Sequence, residues 1–477
     1  MSKTKIKADI CIIGAGSAGL SVAAGAAQLG LKTVLIERDK MGGDCLNTGC
    51  VPSKALLAAA KRAHIAQKND IAGIKTAAPK IDYAKVKDYV ASKIKVIEPH
   101  DSPGRFRKLG ANVILEEARF ANKNIVETEN HIIKARKFVI ATGGRAALPP
   151  IESLNKEKAF TNESIFDLKE KPEHLLIIGG GAIGIEMAQA HARLGCKVSL
   201  FEAATILPRD DTENVKILRD ILTEEGVNII EKAQVKEIKH TNKRVNVTYK
   251  HKGKNHEITG SHLLMAAGRQ VNVQGLGLDK AGVDYTNKGI EVDAHLKTSN
   301  RHIFAIGDVI GGPQFTHVAG YHAGLIIRQA CFGLFWTKVD YKALPWVTYT
   351  DPELAQVGLT EAQARDTYGQ DVKVATASFV ENDRAITESQ TKGQLRVITD
   401  KKGTVLGASM VGAQAGELIQ LWGLAISAGL KISAVAGIIS PYPTFSEINK
   451  RAAGAWYTPN LFSDKTRRIV KILKYFG

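Results

Sequence analysis

One short glycine pattern occurs twice in the sequence, and this repeat limits the fold more than any other feature. Gly14, Gly16 and Gly19 follow an apolar run at residues 8–13 and open an alanine- and glycine-rich stretch that is typical of a helix. A second apolar run, residues 33–36, comes next. A strand, a glycine turn, a helix and a strand in this order predict a parallel sheet.

The spacing of the first pattern predicts a dinucleotide site. The first glycine makes the turn, the second lets the backbone approach a pyrophosphate, and the third lets the helix pack close to the strand. The helix N-terminus favours negative charge. Glu37 ends the second strand, 18 residues after Gly19, where an acid can hydrogen-bond a ribose diol.

The second copy of the pattern predicts a second dinucleotide. Gly179, Gly181 and Gly184 follow the apolar run 175–178, and Glu202 again stands 18 residues after the last glycine. A carboxylate at this position repels a 2′-phosphate, so the sequence favours NAD(H) over NADP(H).

Two cysteines, Cys45 and Cys50, lie just after the first pattern. They could be buried structural thiols or half of a metal site, but no companion Cys or His pair stands nearby at metal-ligand spacing, and we predict no metal. Four intervening residues can close a small redox ring, and a helix that begins near Cys50 lowers a thiol pKa. We therefore favour a redox disulfide.

The cysteine segment carries a family resemblance. Residues 42–54 read Gly-Gly-Asp-Cys-Leu-Asn-Thr-Gly-Cys-Val-Pro-Ser-Lys. This segment resembles the active site of the flavin-dependent (class I) pyridine nucleotide–disulfide oxidoreductases, a family that includes lipoamide dehydrogenase and mercuric reductase. Further segments match in the family's order, and the resemblance covers about residues 6–452. These segments are 141–144, 179–184, 266–269, 304–308, 352–358 and 442–447.

The resemblance implies FAD in the first unit, a nicotinamide in the second, and roles for particular residues. Cys50 is implied to lie beside the flavin ring and Cys45 to be the exposed interchange thiol, while Lys54 and Glu186 match an ion pair near flavin N5. Asp308 matches the acid that holds the ribityl chain. The predicted cofactor-binding residues are Gly14, Gly16, Gly19, Glu37, Gly43, Lys54, Thr142, Gly143, Gly179, Gly181, Gly184, Glu202, Gly268, Gly307 and Asp308.

The implied fold is α/β, with two Rossmann-like nucleotide-binding domains and a C-terminal α+β dimerisation domain. The resemblance implies a homodimer in which this last domain lends its C-terminal segment to the other subunit's active site. Short alternating runs from 112 to 142 predict a small antiparallel meander. The predicted segments are 1–150 and 271–344 for FAD, 151–270 for NAD(H), 345–452 for dimerisation and 453–477 for a basic tail.

The implied reaction passes a hydride from NADH to FAD, then to the Cys45–Cys50 disulfide, then to an unidentified disulfide or metal-ion acceptor. One departure from the family pattern concerns the proton shuttle. Disulfide-reducing members carry His-Pro-Thr-x-x-Glu; here Tyr442 takes the His position and Glu447 is retained. A phenol, with a pKa of about 10, donates a proton but is a poor base at neutral pH. Because oxidation of a dithiol needs a base, we expect slow oxidation of dihydrolipoamide.

Several alternatives stay open from the sequence. Tyrosine in this region resembles mercuric reductase, but no cysteine follows Cys331, so we expect inefficient reduction of Hg(II). Tyr442 could also be an inert replacement for the histidine, a side chain that packs without a role in the reaction. The rival functions are dihydrolipoamide dehydrogenase or mercuric reductase proper and, in another class, a non-catalytic or membrane-associated electron-transfer flavoprotein subunit.

The net charge of +17 is concentrated in two segments. Residues 232–256 have no nucleic-acid motif and are predicted to be a solvated rim. Residues 448–477 include an amphipathic helical pattern that could lie on an anionic membrane or dock on its own dimer. No uncharged apolar run reaches the about 18 residues of a membrane span. The N-terminus lacks a signal-peptide pattern, so we expect a cytoplasmic protein, with possible peripheral contact at the inner membrane face.

Overall fold

The computed structural model describes residues 3–67, 73–74 and 77–476, in which helices and strands alternate as the α/β prediction requires. The described chain divides into two compact units. Unit 1 holds the described residues up to Gly179, residues 194–196 and residues 234–339; unit 2 holds residues 180–193, 197–233 and the described residues from 340 onward. The five segments predicted from the sequence stay a prediction.

The chain opens with the predicted strand–turn–helix–strand unit, formed by β1 (Thr4–Ile13), α1 (Ser17–Gln28) and β2 (Thr33–Glu37). The elements that follow, up to Gly179, are α2 (Gly43–Asn47), α3 (Cys50–Gln67), α4 (Tyr83–Asp101), α5 (Pro103–Lys108), β3 (Asn112–Leu115), β4 (Arg119–Asn122), β5 (Ile125–Glu127), β6 (His131–Ile140), β7 (Gly144–Ala146) and β8 (His174–Ile178).

The second strand–turn–helix–strand unit begins with β8, which belongs to unit 1, and continues in unit 2 with a helix and a strand. The elements from 180 to 339 are α6 (Ala182–Arg193), β9 (Lys197–Phe201), α7 (Thr212–Glu224), β10 (Val227–Ile230), β11 (Gln234–His240), β12 (Val245–His251), β13 (Lys254–Gly260), β14 (His262–Met265), β15 (Arg269–Val271), α8 (Leu278–Ala281), β16 (Tyr285–Thr286), β17 (Gly289–Ile290), β18 (Ile303–Ala305) and α9 (Thr316–Phe332).

The main sheet of unit 1 has the order β3-β2-β1-β6-β5-β4, and β18 also pairs with β6. Strands β3, β2, β1, β6 and β18 are parallel, whereas β4 and β5 are antiparallel to their neighbours. The predicted meander is therefore wrong for β3, which pairs with β2, although β4, β5 and β6 do form one. Strand β1 is buried on both faces, because Ile10 and Ile12 pack into one core and Cys11 and Ile13 into the other.

Smaller sheets complete unit 1. Strands β8 and β14 are parallel, β7 and β15 are antiparallel, and β11, β12 and β13 form an antiparallel sheet. The basic segment 232–256 lies mostly on this last sheet, and all eight of its lysine and arginine side chains are exposed. The predicted solvated rim agrees with this exposure.

Unit 2 contains an antiparallel sheet of order β19-β20-β23-β22-β21. Its core is formed around the fully buried Trp422, whose indole Nε1 donates to Asn449 Oδ1 over 2.8 Å. The elements from 340 onward are β19 (Pro345–Thr348), β20 (Glu353–Gly358), α10 (Glu361–Tyr368), β21 (Lys373–Ser378), α11 (Asp383–Thr387), β22 (Gln394–Thr399), β23 (Val405–Gly412), α12 (Ala415–Leu418), α13 (Gln420–Ser427), α14 (Ile432–Ala436), α15 (Glu447–Ala455), α16 (Thr458–Leu461) and α17 (Asp464–Leu473).

Candidate active site

The first glycine turn is closed by backbone contacts that leave no room for a side chain. Gly14 has φ +101°, and a Cβ placed there would lie 2.4 Å from the carbonyl oxygen of Ala141. A Cβ at Gly19 would lie 1.9 Å from the carbonyl oxygen of Gly14, so helix α1 presses directly on the turn. Gly16 caps α1 without a side chain, which leaves the first amide groups of the helix available to the phosphate that the sequence predicts here.

The second glycine turn repeats this geometry. Gly179 has φ +115°, and a Cβ there would lie 2.3 Å from the carbonyl oxygen of Ala266. A Cβ at Gly181 would meet nothing within 4 Å, so the backbone faces open space beside the start of α6. Ala141 and Ala266 therefore close their respective turns in the same way.

The two predicted ribose acids are bound identically by their own turns. Glu37 accepts from the amide of Ala15 over 2.6 Å and from the amide of Asp39 over 2.9 Å. In unit 2, Glu202 accepts from the amide of Gly180 over 2.7 Å and from the amide of Ala204 over 2.9 Å. In each case the donors are the residue after the first glycine and the residue two positions after the acid.

The two cysteines predicted to be redox-active lie on two consecutive helices of unit 1, Cys45 on α2 and Cys50 at the start of α3. The Cys50 Sγ lies 3.2 Å from the hydroxyl oxygen of Thr316, the first residue of α9. The pKa of Cys50 is lowered to about 6, and the hydrogen bond from Cys45 is the largest cause. Thr316 and the charge of Lys54 lower the pKa further, whereas burial raises it. The same hydrogen bond, together with burial, raises the pKa of Cys45.

The cysteine segment packs on the first glycine turn. Gly43 has φ +56°, and a Cβ there would lie 2.8 Å from the Cα of Gly16. The side chain of Asn47 donates to the carbonyl oxygens of Met41 and Gly43, which closes α2 onto this contact. The position of the cysteine pair is therefore fixed relative to the turn.

An arginine connects the cysteine segment to the predicted ribityl acid. Arg269 Nη1 lies 2.7 Å from Asp44 Oδ2, and its Nη2 lies 3.2 Å from Asp308 Oδ2. Asn162 Nδ2 also donates to Asp44, over 3.0 Å. Burial raises the pKa of Asp308, and the charge of Arg269 opposes that rise.

The remaining predicted glycines and Thr142 shape the same region of unit 1. Thr142 Oγ1 donates to the carbonyl oxygen of Asn272, and Asn272 Nδ2 donates back to the carbonyl oxygen of Thr142. Gly143 and Gly268 both have positive φ. Gly307 lies against α1, since a Cβ there would be 3.3 Å from that of Ala18.

These residues of unit 1 fit FAD. The Gly14 turn has no room for a Cβ, the buried Nε of Arg269 has no hydrogen-bond partner among the described residues, and Asp308 is a half-buried carboxyl group beside it. Gly14, Gly16 and Gly43 would face the pyrophosphate, and Asp308 would accept from a ribityl hydroxyl group.

Lys54 and Glu186 lie in different units, and each has contacts within its own. Lys54 Nζ donates to the hydroxyl oxygen of Ser53 over 3.3 Å. Glu186 is buried on α6, and its Oε1 accepts from the amide of Tyr349 over 2.9 Å. Their predicted pairing stays a prediction.

Tyr442 and Glu447 lie near the end of unit 2. Tyr442 is exposed, and its hydroxyl group donates to Asp383 Oδ2 over 2.8 Å; this hydrogen bond and the charge of Asp383 raise the pKa of the phenol. Glu447 Oε2 accepts from the amide of Thr444 over 3.3 Å. Tyr442 is therefore held as a protonated donor, and the two residues do not form a Tyr–Glu replica of a His–Glu pair.

Sequence reasoning missed four residues that complete these arrangements. Thr316 contacts Cys50 from 266 positions away, Asp383 anchors Tyr442, and Arg269 joins two acids. His322 is buried, its Nδ1 accepts from the amide of Gly307 over 3.1 Å, and burial lowers its pKa to about 4, so it stays neutral and fixes the turn before Asp308. Of these four residues, only Arg269 could have been noticed in the sequence, because it is the last residue of segment 266–269, which resembles the family.

Metal-binding geometry is absent from the part of the chain that the structure describes, because no three His, Cys, Asp or Glu side chains are grouped to hold an ion.

Comparison with known proteins gives a consistent result. A family model described as pyridine nucleotide-disulphide oxidoreductase matches residues 8–323, and the dimerisation domain of that family matches residues 344–453. A dihydrolipoyl dehydrogenase of Geobacillus stearothermophilus is 36% identical over 458 residues, covering 94% of this chain and 96% of that protein. A mercuric reductase of Bacillus cereus is 36% identical over 442 residues, covering 92% and 70%.

Solved structures also match. The Cu(II) complex of the HOCl-induced flavoprotein disulfide reductase RclA from Escherichia coli has a TM-score of 0.83 and 31% identity, covering 92% of this chain and 98% of that one.

Proposed function

The chain belongs to the pyridine nucleotide-disulphide oxidoreductase family, and we propose that it uses NADH to reduce a disulfide or thiophilic metal-ion acceptor through Cys50 and Cys45. As a member of this family it is an FAD-dependent oxidoreductase that acts on sulfur groups, and it carries the family's dimerisation domain. Beyond this family assignment, we propose the acceptor, the choice of nicotinamide, a homodimer with a shared active site and the place where the enzyme acts.

The observation that carries the proposal is the placement of Cys45 and Cys50 on consecutive helices, with Cys50 Sγ 3.2 Å from the hydroxyl oxygen of Thr316. The interaction of the two thiols lowers the pKa of Cys50 to about 6 and raises that of Cys45, which favours a Cys50 thiolate and a Cys45 thiol near neutral pH. Bound FAD supplies two-electron redox chemistry between the nicotinamide and the cysteine pair. Thr316 and Lys54 support the negative charge on Cys50.

This arrangement reduces a disulfide acceptor without an external base. As Cys45 Sγ attacks one sulfur of the acceptor, the acceptor's S–S bond breaks and the Cys45 proton moves to Cys50. The leaving thiolate then takes that proton. Cys50 attacks Cys45, which restores the Cys45–Cys50 disulfide and releases the second thiol with a proton from water. The acceptor gains the two electrons that the cysteine pair loses.

Tyr442 supports the same direction of reaction. Because its hydroxyl proton is held by Asp383 and its pKa is raised, the phenol stays protonated at neutral pH and cannot accept a proton from dihydrolipoamide. In a homodimer with the family's shared active site, this hydroxyl group would lie beside the cysteine pair of the other subunit without acting as a base.

The acceptor class includes thiophilic metal ions as an alternative to disulfides. Relatives are named mercuric reductases, and a solved relative is a Cu(II) complex of a flavoprotein disulfide reductase. In this chain such an ion would bind the cysteine pair, since the described residues contain no grouped metal ligands elsewhere.

NADH is the nicotinamide that Glu202 favours. Its carboxylate is held by the amides of Gly180 and Ala204 at the point where the adenosine ribose would bind, and a 2′-phosphate there would meet a fixed negative charge.

Rapid mixing with reduced nicotinamide tests the function. We expect NADH to reduce the holoenzyme at least about tenfold faster than NADPH at equal concentration, because repulsion of the 2′-phosphate costs at least about 1.4 kcal/mol. Steady-state assays then compare disulfides, lipoyl proteins, quinones, Hg(II) and Cu(II) as acceptors, with dihydrolipoamide and NAD as the reverse reaction. Failure of fresh holoenzyme to be reduced, or rapid oxidation of dihydrolipoamide, would contradict the proposal.

We further propose that the tail places the enzyme at the cytoplasmic face of a membrane. Helix α17 is capped by Ser463, whose hydroxyl group accepts from the amide of Thr466, and it buries none of its residues. None of the described helices is long and apolar enough to cross a bilayer. The exposed apolar side chains of this region are Ile469, Val470, Ile472, Leu473 and Phe476, and the cations of the other face are Arg467, Arg468, Lys471 and Lys474.

Removal of residues 463–477 tests this contact. Because the helix combines apolar area with four cations, we expect full-length protein to float with phosphatidylcholine vesicles containing one third phosphatidylglycerol, and the shortened protein to float at least about tenfold less. Pure phosphatidylcholine vesicles are the control. Equal flotation of the two proteins, or loss of the dimer on shortening, would show that the helix does not bind lipid.

A further inference from the structure

A second amphiphilic surface lies in unit 1, where helix α9 ends. Phe332, Phe335 and Trp336 are 59%, 59% and 72% exposed. Three large apolar side chains this exposed within five residues form a patch of the kind that marks an interaction site. We call residues 332–338 the aromatic loop.

The aromatic loop is held in place by its backbone. Leu334 donates its amide to the carbonyl oxygen of Arg328 over 3.0 Å, and the amide and hydroxyl group of Thr337 both donate to the carbonyl oxygen of Leu334. His295 Nδ1 lies 2.9 Å from the carbonyl oxygen of Thr337. The loop is thus tied to the segment around His295, and its rings point outward from a formed structure.

Cations surround the exposed rings. Lys297 Nζ lies 5.4 Å from the centre of the Phe335 ring, and Arg136 lies close enough to Cys331, beside Phe332, to lower the pKa of that thiol against the rise that burial causes. Arg328 and Lys338 are exposed on the loop and the helix that leads to it. The nearby acids do not cancel this charge, because Asp293 pairs with Arg301 at 2.7 Å and Asp340 lies beyond the loop next to Lys342.

The aromatic loop lies outside the segment that matches the family's dimerisation domain. The two family models match residues 8–323 and 344–453, and the loop falls in the interval between them, outside the dimerisation domain. Exposed aromatic rings among cations are the composition that sits at the headgroup level of an anionic bilayer.

We propose that the aromatic loop is an interfacial anchor, which inserts Phe332, Phe335 and Trp336 at the headgroup–acyl boundary while Lys297, Arg136, Arg328 and Lys338 bind anionic headgroups. This contact is in unit 1 and does not depend on helix α17, so it extends the proposed membrane association without resting on the tail.

Quenching of Trp336 by brominated lipid tests the anchor in the full-length holoenzyme. We expect vesicles of brominated phosphatidylcholine with one third phosphatidylglycerol to reduce tryptophan fluorescence, and the reduction to be smaller in Trp336→Phe, which keeps an aromatic ring but removes the probe. Trp422 is fully buried, Trp346 and Trp456 are half-buried, and all three are present in both proteins, so the difference between the two proteins reports Trp336 alone. Equal quenching in wild type and Trp336→Phe would overturn the proposal.

A loop variant measures the binding itself. We expect Phe335→Ser combined with Trp336→Ser to lower the vesicle partition coefficient at least about tenfold, since two rings lose their apolar burial. The matched control is Ile439→Ser, which removes a 96% exposed side chain in unit 2 and should leave partition unchanged. NADH oxidation confirms that each variant is folded.

Three outcomes separate the loop from the tail. Loss of flotation only on removal of residues 463–477, with no effect of the loop variant, would overturn the anchor and leave the tail proposal standing. Loss of the dimer in the loop variant would assign this face to a second copy of the chain and overturn the lipid proposal. Loss of partition with the dimer and NADH oxidation intact would support it.

Discussion

Replacing Cys50 by alanine is expected to lower NADH-dependent reduction of the best acceptor at least about a thousandfold, because one thiol of the proposed electron relay to the acceptor is lost. The same loss is expected for Cys45→Ala, since the surviving thiol cannot complete the exchange. Steady-state rates at saturating NADH measure both. The matched control is Cys331→Ala, which removes a half-buried thiol outside the site and should keep the wild-type rate.

The two cysteine variants differ in spectrum and pH dependence. A thiolate beside oxidised flavin gives a long-wavelength absorbance band, which we expect in Cys45→Ala and not in Cys50→Ala. In the two-electron-reduced wild-type enzyme the band is present above pH 6 and lost as pH falls through about 6, where Cys50 takes up a proton. In Cys45→Ala the midpoint moves upward, because the hydrogen bond that most lowers the pKa of Cys50 is gone. A band that depends on Cys45 would reverse the assigned roles.

The second large effect concerns Arg269. Arg269→Met leaves Asp44 and Asp308 without their shared cation in a half-buried setting, so the expected cost lies between about 1 kcal/mol for an exposed ion pair and about 3–5 kcal/mol for a fully buried one. Urea unfolding of the holoenzyme, followed by circular dichroism and by release of flavin fluorescence, measures the loss. We expect the flavin signal to change at lower urea than in wild type.

Arg301→Met is the matched control for Arg269→Met. Arg301 pairs with Asp293 at 2.7 Å, the same distance as Arg269 and Asp44, but the Arg301 side chain is 71% exposed and that of Arg269 is 15% exposed. An exposed ion pair contributes less than about 1 kcal/mol. If both variants lose the same stability, burial is not what gives the Arg269 pair its strength.

The parts of the site that sequence could predict are those fixed by local spacing. Each glycine turn lies within about forty positions of its own acid, and the cysteine segment lies equally close to the first turn. Each of these spacings follows from a physical requirement of nucleotide binding or helix packing. The order of strand, turn and helix was enough to predict the parallel sheet around β1.

Contacts between distant segments could not be predicted in this way. Thr316 reaches Cys50 because α9 happens to begin beside α3, and Arg269 reaches Asp44 across more than two hundred positions. Strand β3 has the short alternating pattern that is typical of a hairpin strand, but it pairs in parallel with β2. Tertiary pairing therefore overrode the local pattern.

The identical binding of Glu37 and Glu202 by their own turns has a consequence for redesign of coenzyme choice. Glu202 accepts from the amide of Gly180 and from that of Ala204, so the side chain that we propose rejects a 2′-phosphate also closes the loop that would hold the pyrophosphate. A single Glu202→Arg exchange removes both acceptors along with the negative charge, and so disorders the turn it was meant to retune. Conversion to NADPH therefore requires a cation introduced beyond Ala204 and new acceptors for both turn amides, because a glutamine at this position has one acceptor oxygen and could satisfy only one of them.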